Sequence, residues 1–514
     1  MAIETELKLA ARAGDLPAVR RALEAMAAGP GHAPRASRSR LVSTYYDTPD
    51  HALARRGSSL RLRRAGRNYV QTVKAAAALG ESGLARGEWE DRVAGEQPDP
   101  GAAQTGAFLS PEIAGRLRPL FRTEVSRLTI PLAPEPATRI EAAIDRGRIR
   151  DRDREDLPSQ PISEVELELK SGAPSALYDV ALKLLHVAPL RLERRSKAER
   201  GYQLAARAPA AVAAVHAAPV ELRPGLTGED VLRRVGRACL DHLLRNEDAA
   251  LAGDPEGIHQ MRVAVRRLRA VLSAFAPVLP REQRRWASSE LRWLAEALGE
   301  ARNLDVFAAD LLRPARAALP AASELDRLAR TTARRRKQAQ QDVVAAIAST
   351  RYTEAVLALL RWLDGGDWHL AGALVLREPV EALAPALLDR CRAQAKKHAK
   401  HFARKSPIKR HRLRIALKKL RYAAELFAAL YDPAAAKHFI HRLKKLQDDL
   451  GEANDLRVAH DIVATLAPMG KRATAIAHAG KRVLAWRKRA IAKNEPDLRH
   501  HLDELRAAAP FWRA

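Results

Sequence analysis

An internal repeat constrains the fold of this chain more than any other feature of its sequence. The stretches Ile258–Phe275, IHQMRVAVRRLRAVLSAF, and His411–Phe427, HRLRIALKKLRYAAELF, align at a constant offset of 152 residues. The same offset aligns Leu298–Ala301 with Leu450–Ala453, and both segments read LGEA. An offset kept from one segment to the next predicts two copies of one helical unit, each roughly 140 residues long.

Each of the two stretches carries an apolar and a basic stripe when it is drawn as a helix. In the first copy the apolar stripe is Met261, Val265, Leu268, Leu272 and Phe275. The basic stripe lies roughly 110° away. In the two copies it contains His259, Arg262, Arg266 and Arg269, and His411, Arg414, Lys418 and Arg421. An ordinary solvated basic face is the alternative. However, like charges this close repel, so we predict that the apolar stripe builds a bundle and the basic stripe lines an anion groove or pore.

The charge of the chain agrees with an anionic partner. Its 514 residues carry a net charge of +28. Residues 1–204 hold 33 basic and 27 acidic residues, a net of +6, and the remaining 56 and 34 give +22. Such a surface predicts nucleic acid, an anionic membrane surface or a phosphate polymer as partner. No helix-turn-helix or zinc-finger spacing is present, and aromatic residues are only 4%, so nucleic acid is not the favoured polymer.

The runs HxxRxxxRRxRxxxxxF and HxxRxxxKKxRYxxExF, each followed by LGEA, resemble a CHAD domain over residues 224–510. The resemblance implies a pair of antiparallel four-helix bundles around a basic pore that binds inorganic polyphosphate. It implies contacts from the stripe residues and from Arg267 and Lys419. Arg302–Asp305 and Asn454–Asp455 would orient these cations, and Lys397, His398, Lys400 and His401 would extend the surface. If the stripe histidines take part, affinity should rise below about pH 6.5.

The N-terminal half has short runs in which charged and apolar residues alternate, as in Ile3–Leu9, Ser59–Arg63, Gly87–Asp91 and Ser163–Lys170. Alternate residues of a strand share a face, so carboxylates two apart can bind one metal and cations on other strands can hold phosphates. A sheet with one wet face is the alternative. Because the polar faces are almost wholly Glu, Arg and Lys, we predict a closed barrel with its charges inward. Divalent cations and an oligophosphate would relieve the strain of those charges.

The order ExExK, RxR, a lone Lys, ExE, DxG, ExExE and SKxxRGY strongly resembles a CYTH domain, and the match covers residues 1–204. This family has the triphosphate tunnel metalloenzyme fold, an eight-stranded antiparallel barrel. The fold class expected for the whole chain is therefore an α+β multidomain protein. It would have an N-terminal tunnel barrel, an Ala/Pro-rich linker at 205–223 and a C-terminal all-α pair of four-helix bundles.

The CYTH resemblance implies roles for individual residues. Mg²⁺ or Mn²⁺ would be held by Glu4, Glu6, Glu164, Glu166 and Glu168, and the catalytic residues would be Glu4, Glu6 and Lys8. The substrate phosphates would be held by Arg61, Arg63, Lys74, Arg122 and Lys197. Lys8 and Arg200 would support them, and Glu88, Glu90 and Asp145 would line the tunnel. The sequence departs from the family at Arg148, where an acidic residue is common.

The combination favours metal-dependent hydrolysis of inorganic triphosphate next to a polyphosphate-binding domain. Thiamine triphosphatase or class IV adenylate cyclase on the same barrel, and a non-enzymatic polyphosphate-binding scaffold, are the alternatives. Cys239 and Cys391 lie far apart and give no metal or disulfide spacing. The first residues lack an export signal and no long apolar stretch is present. We therefore expect no membrane association and a cytoplasmic location, at polyphosphate granules if the helical domain is an anchor. The sequence carries no signal for an oligomeric state.

Overall fold

The computed structural model describes residues 2–28, 36–65, 68–75, 85–152, 159–206, 213–319, 323–366, 368, 374–400, 407–467, 471–492 and 495–513. The chain divides into two compact units. The first comprises Met1–Ala211 and Ala348–Gly365, and the second Val212–Ile347 and Gly366–Ala514. The division falls inside the predicted linker at 205–223. It differs from the predicted helical domain at 224–510 in one segment, because Ala348–Gly365 belongs to the first unit.

The first unit is built on an antiparallel sheet. Its strands are β1 (Ala2–Ala10), β2 (Ser37–Asp47), β3 (Ser58–Ala65), β4 (Asn68–Ala75), β5 (Ala85–Val93), β6 (Arg118–Leu132), β7 (Arg139–Asp151), β8 (Gln160–Ser171) and β9 (Arg191–Leu192). Their order is β5-β4-β3-β2-β6-β7-β8-β1-β9, and β1 also pairs with β5. The predicted antiparallel N-terminal sheet is confirmed, but it has nine strands rather than eight. The extra strand arises because β5 pairs only with Ala2–Thr5, which leaves Leu9 and Ala10 to pair with β9.

The helices follow in chain order. They are α1 (Leu16–Ala27), α2 (Ala52–Arg55), α3 (Pro111–Ala114), α4 (Ser175–Leu185), α5 (Lys197–Ala205), α6 (Gly228–Arg245), α7 (Glu247–Leu251), α8 (Pro255–Ala274), α9 (Arg281–Ala297), α10 (Gly299–Val306), α11 (Arg313–Ala318), α12 (Ser323–Ala348), α13 (Thr350–Gly365), α14 (Val380–Ala399), α15 (Pro407–Phe427), α16 (Pro433–Leu466), α17 (Lys471–Ala492) and α18 (Glu495–Ala507). A π-helical turn, Phe307–Leu312, lies between α10 and α11. The predicted helical C-terminal half is confirmed.

One face of the sheet is covered by helices. Leucines and isoleucines of β1, β6, β7 and β8 form a core with α1 and α4, in which Leu9, Leu23 and Leu177 are fully buried. The helix α13 belongs to the same core: its Leu357 is fully buried there, and its Arg361 forms an ion pair with Asp179 of α4. This packing leaves the charged side chains of the same strands on the opposite face.

The second unit is helical. The apolar stripes of α8 and α15 are buried. The rings of Phe275 and Phe427, the last residues of the two aligned stretches, lie 6.2 Å apart. Both cysteines are buried and unpaired. No single described helix is long and apolar enough to cross a membrane. Only α12 and α13 together, with a bend of 57° between them, have that length and composition.

Candidate functional site

A cavity of about 690 Å³ lies against the charged face of the first unit's sheet. Predicted site residues that line it are Glu6, Lys8, Arg61, Arg63, Lys74, Glu88, Glu90, Asp145, Glu166, Glu168 and Lys197. Arg127, Glu141, Lys170 and Arg195 also line it. The cavity therefore collects acidic and basic side chains from β1, β3, β4, β5, β6, β7, β8 and α5.

One wall holds a buried carboxylate triad. Asp145, Glu164 and Glu166 each place an oxygen within 4.8 Å of the others. The ammonium of Lys197 lies 2.7 Å from Asp145, 2.5 Å from Glu164 and 2.7 Å from Glu166. Arg127 donates two hydrogen bonds to Asp145, of 2.7 and 2.6 Å, and one to Glu166. Cations of the chain itself therefore balance the charge of this triad.

The ion pairs of the triad dominate its proton affinities. Burial alone would lower the pKa of Lys197, but Glu166, Asp145 and Glu164 raise it. Burial would likewise raise the pKa of Glu166, yet Lys197, Lys8 and Arg127 hold it well below its ordinary value. Both groups are therefore charged at neutral pH.

The opposite wall consists of cations from β3 and β4. Arg61 lies 3.3 Å and Lys74 lies 3.4 Å from the same oxygen of Glu88, and Arg63 lies 3.6 Å from Glu90. Burial and the neighbouring Arg61 lower the pKa of Arg63. Three cations against two carboxylates leave this wall with excess positive charge, which suits the binding of phosphates.

A second row of carboxylates crosses the cavity near its acidic wall. Glu168 lies opposite Glu6 of β1 and opposite Glu141 of β7, and all three line the cavity. Lys8 lies 3.2 Å from Glu6 and Lys170 lies 2.5 Å from Glu168. Among the described residues, none forms an ion pair with Glu141. This row lies beside the triad, whose oxygens are close enough to one another to hold one ion. Because oxygen ligands are those that Mg²⁺ prefers, the carboxylates of the cavity fit a divalent cation.

Lys197 is the first residue of α5, and the start of this helix places its side chain at the triad. Ser196 caps its N-terminus by accepting a hydrogen bond from the Glu199 N–H, while Glu199 accepts one from the Ser196 N–H. Such a capping box fixes where a helix begins. Gly201, one turn later, lets the helix approach the sheet, since a methyl group there would lie 2.0 Å from the ring of Phe121.

Three predicted residues that the structure describes, Glu164, Arg200 and Arg122, do not line the cavity. Glu164 is fully buried beneath it and pairs with Arg200, so both support the wall rather than contact its space. The side chain of Glu4 lies outside the described residues. Arg122 lies on the opposite face of β6, where its side chain is 48% exposed and lies 3.8 Å from Glu124. Arg122 therefore cannot hold a phosphate in the cavity.

The second unit brings the two basic stripes together. Arg266 of the first copy donates a 2.7 Å hydrogen bond to the hydroxyl of Tyr422 in the second, and its guanidinium lies 5.8 Å from that ring. Arg421 lies 4.6 Å from the same ring. Arg262 donates to the Leu298 carbonyl over 3.2 Å, beside Gly299 of the first LGEA segment. A methyl group on Gly451 of the second segment would lie 3.6 Å from Arg414, compared with 3.2 Å between a methyl group on Gly299 and Arg262.

The stripe cations are crowded and under-compensated. Burial, with Arg414, Arg266 and Arg421, lowers the pKa of Lys418 to about 7. Burial, with Arg266 and Arg302, lowers the pKa of Arg262 to about 10. Burial, with Arg302, also lowers the pKa of His259 to about 4. His259 is therefore neutral at pH 6.5 in the free protein, and it would contribute to the expected gain of affinity below this pH only by taking up a proton when the polyanion binds.

Other predicted residues of this unit lie elsewhere. Asp305 is buried and forms an ion pair with Arg336 of α12. Burial lowers the pKa of Arg414, and the nearby Asp455 partly offsets this by raising it. Arg269 and Lys419 form a separate group with Arg284, Arg292 and Arg390. The positions of the remaining predicted residues are varied. Arg267 is near Cys239, and His411 is half-buried on α15. Lys397, His398 and Lys400 lie at the C-terminal end of α14. His401 and the side chain of Asn454 lie outside the described residues.

Residues 2–202 match the family model of the CYTH domain, and residues 234–464 match that of the CHAD domain. The chain carries a CYTH domain followed by a CHAD domain. The CYTH domain is the part that holds the cavity, and the CHAD domain holds the paired basic stripes.

Three similar proteins are informative to different degrees. An inorganic triphosphatase of Haemophilus influenzae is 33% identical over 165 residues, which are 32% of this chain and 46% of that protein, so the match spans about half of its length. The crystal structure of the CHAD domain from the plant Ricinus communis is 29% identical with a TM-score of 0.50, covering 58% of this chain and 98% of that chain. A putative adenylyl cyclase from Hippeastrum, described with a dominant triphosphatase activity, covers 40% of this chain and 96% of that chain at 15% identity. Its TM-score of 0.26 is too low to support an argument.

Sequence reasoning missed Arg127 of the CYTH domain. It lies on β6 five residues after Arg122, and an odd separation places two strand residues on opposite faces. Thr123, Val125 and Arg127 share the face of β6 that lines the cavity, but the alternation alone does not say which face that is.

The contrast between these two arginines can be tested. We expect Arg127→Met to lower the rate of any phosphate release catalysed at this cavity by at least about a hundredfold, because it removes a cavity cation and leaves Asp145 and Glu166 short of a partner. Arg122→Met should change the rate less than about twofold. Initial rates of phosphate release measure both, and equal losses in the two variants would contradict the assignment of faces.

Proposed function

We propose that the CYTH domain hydrolyses inorganic triphosphate with the help of a divalent metal ion, Mg²⁺ or Mn²⁺. The observation that supports this most is the division of one cavity into an acidic and a basic wall. The cations of the basic wall would match the charge of a triphosphate, and the carboxylates of the acidic wall would match that of a metal ion. The eight strands β1–β8, each paired on both edges, would form the tunnel around it.

Different residues of the cavity have different roles in the proposed reaction. Arg61, Arg63, Lys74 and Arg127 would hold the phosphoryl oxygens and stabilise the charge that develops on the leaving group. Glu6, Glu168 and Glu166, together with Glu4, would hold the cation. When bound, the cation supplies charge shielding and lowers the pKa of a water molecule. Glu141 has no ion pair among the described residues and would accept the proton of the attacking water.

Phosphate release separates this proposal from its alternatives. The full chain is incubated with tripolyphosphate, thiamine triphosphate, ATP or long-chain polyphosphate, with Mg²⁺, Mn²⁺ or EDTA. We expect the fastest release from tripolyphosphate and none with EDTA. Faster turnover of thiamine triphosphate, or cyclic AMP formation from ATP, would assign a different reaction to the same cavity. Absence of release from every substrate would leave a non-enzymatic scaffold.

We further propose that the CHAD domain binds inorganic polyphosphate through the paired stripes. The support is the contact between the two stripes, in which Arg266 of one copy donates to Tyr422 of the other, and the low pKa of Lys418 and Arg262, which burial and neighbouring arginines lower. A phosphate polymer would supply negative charges along its whole length. The cytoplasmic location expected from the sequence belongs to this proposal, and co-localisation with stained polyphosphate granules tests it.

Lys418 predicts a pH dependence for this binding. Its pKa is about 7 in the free protein, and a bound polyanion favours the charged form. Binding above pH 7 therefore takes up a proton, and affinity should fall by up to about tenfold per pH unit between about pH 7 and 9. Lys418→Arg keeps its charge and should flatten this profile. Titration calorimetry in two buffers measures the proton uptake, and an unchanged slope in Lys418→Arg would contradict the role of Lys418.

A further inference from the structure

A group of arginines lies on the face of the CYTH sheet that points away from the cavity. Arg146, Arg148 and Arg150 alternate along β7. On β6 their cross-strand partners are Ser126, Glu124 and Arg122, in that order, and Ser126 is in turn opposite Arg40 of β2. The cavity is lined instead by Thr123, Val125, Arg127 and Asp145 of the same strands. We call Arg40, Arg122, Arg146, Arg148 and Arg150 the outer arginine face.

This face carries far more positive than negative charge. Glu124 is the one described carboxylate that forms ion pairs with it: Arg148 donates hydrogen bonds of 3.2 and 3.0 Å to Glu124, and Arg122 lies 3.8 Å away. Burial would raise the pKa of Glu124, but Arg148, Arg122 and Arg150 lower it. The Nε atom of Arg150 is buried without a hydrogen-bond partner. Among the described residues, Glu124 is thus the single carboxylate that forms ion pairs with these five arginines, and it does so with Arg122 and Arg148.

We propose that the outer arginine face is a second binding site of this chain for inorganic polyphosphate, separate from the cavity and from the CHAD stripes. Neighbouring strands are about 4.8 Å apart, and alternate residues of one strand are about 6.7 Å apart. Planar guanidinium groups at this spacing can each hold phosphate oxygens in a bidentate manner. A linear chain of phosphates can therefore contact several of them at once.

The side chains around the arginines favour this polymer over other anions. The intervening residues on the face are Ser126, Val42, Thr44 and Glu124, so no aromatic ring is available to stack a base. No large exposed apolar side chain is present there to enter a lipid surface. The choice of polyphosphate among polyanions rests on the proposed function, since a polymer of the same chemistry is already expected at the CHAD stripes.

The test separates the outer face from the CHAD stripes. In the full chain, Arg262→Gln, Arg414→Gln and Lys418→Gln first weaken the CHAD site. Arg146→Gln, Arg148→Gln and Arg150→Gln are then added, and binding of a polyphosphate of defined length is measured at several salt concentrations. A control carries Arg12→Gln, Arg21→Gln and Arg56→Gln instead, which removes three exposed arginines of the same unit outside this face.

We expect the outer-face variant to bind polyphosphate at least about tenfold more weakly than the control, with the slope of log K against log salt reduced by about 2 for three lost contacts. Both variants should keep the melting temperature and the tripolyphosphatase rate of their parent. Because binding is the readout, a chain without triphosphatase activity would still test the face. Equal affinity of the two variants would overturn the proposal. Preferential loss of RNA or of phosphatidylserine vesicle binding would assign the face to another partner.

Discussion

Glu166→Gln is expected to lower the turnover of tripolyphosphate by at least about a thousandfold, equivalent to roughly 4 kcal/mol of barrier. Glu166 lies 2.7 Å from Lys197 and 3.5 Å from Lys8, and it also accepts a hydrogen bond from Arg127. The neutral amide keeps the shape but removes a proposed metal ligand and unbalances these three cations. Phosphate-release rates at saturating Mg²⁺ measure the loss.

The same variant should bind tripolyphosphate more tightly than the parent when no metal is present. Removing one negative charge raises the positive potential of the cavity, so phosphate binding gains while turnover is lost. Isothermal titration in EDTA tests this, and it also reports that the variant is folded. Glu124→Gln is the matched control, because Glu124 is likewise paired with arginine but lies on the opposite face of the sheet. Turnover of Glu166→Gln within tenfold of this control would contradict the assignment.

The triple variant Arg262→Gln, Arg414→Gln, Lys418→Gln is expected to weaken polyphosphate binding by at least about a hundredfold. Each lost charge-assisted contact costs about 1.5 kcal/mol or more. Helix content should not fall, because burial and then neighbouring arginines lower the pKa of Lys418 to about 7 and that of Arg262 to about 10, so the charged forms of these two side chains are disfavoured in the free protein. The measurements are a binding isotherm at fixed salt and a thermal melt by circular dichroism.

A control of equal charge makes this result specific. Arg327, Arg330 and Arg334 lie exposed on α12, and their replacement by glutamine removes the same number of basic residues from the same unit. We expect this control to bind within about threefold of the parent. If the control lost as much affinity as the stripe variant, polyphosphate would respond only to net charge, and the stripes would not form a site.

The sequence predicted features that depend on local periodicity. The alternation of Glu164, Glu166 and Glu168 placed their strand, and the 152-residue offset identified α8 and α15 as equivalent helices. Both patterns can be recognised from the order of the residues alone, without knowledge of tertiary contacts. The LGEA segments were found in the same way, although the contact of their glycines with Arg262 and Arg414 was not.

The choice of face on β6 could not be made from burial alone. Phe121 is buried on the cavity side and Ile130 on the side covered by helices, so apolar residues occur on both faces of this strand. The low pKa of His259 could not be predicted from the sequence either, because it depends on burial and on Arg302 of a different helix. The position of Lys197 among three carboxylates depends on how α5 meets β7 and β8, which only the fold determines.

The packing of α13 has a consequence for how this chain can be divided. Its sequence lies between the two CHAD repeats, yet Leu357 completes the core over α4, and a side chain at Gly365 would meet Ser175. A polypeptide that stops at residue 206 would thus uncover part of its own interior. A fragment cut at the linker would therefore be incomplete, and a stable separate CYTH fragment would need Ala348–Gly365 to be supplied with it.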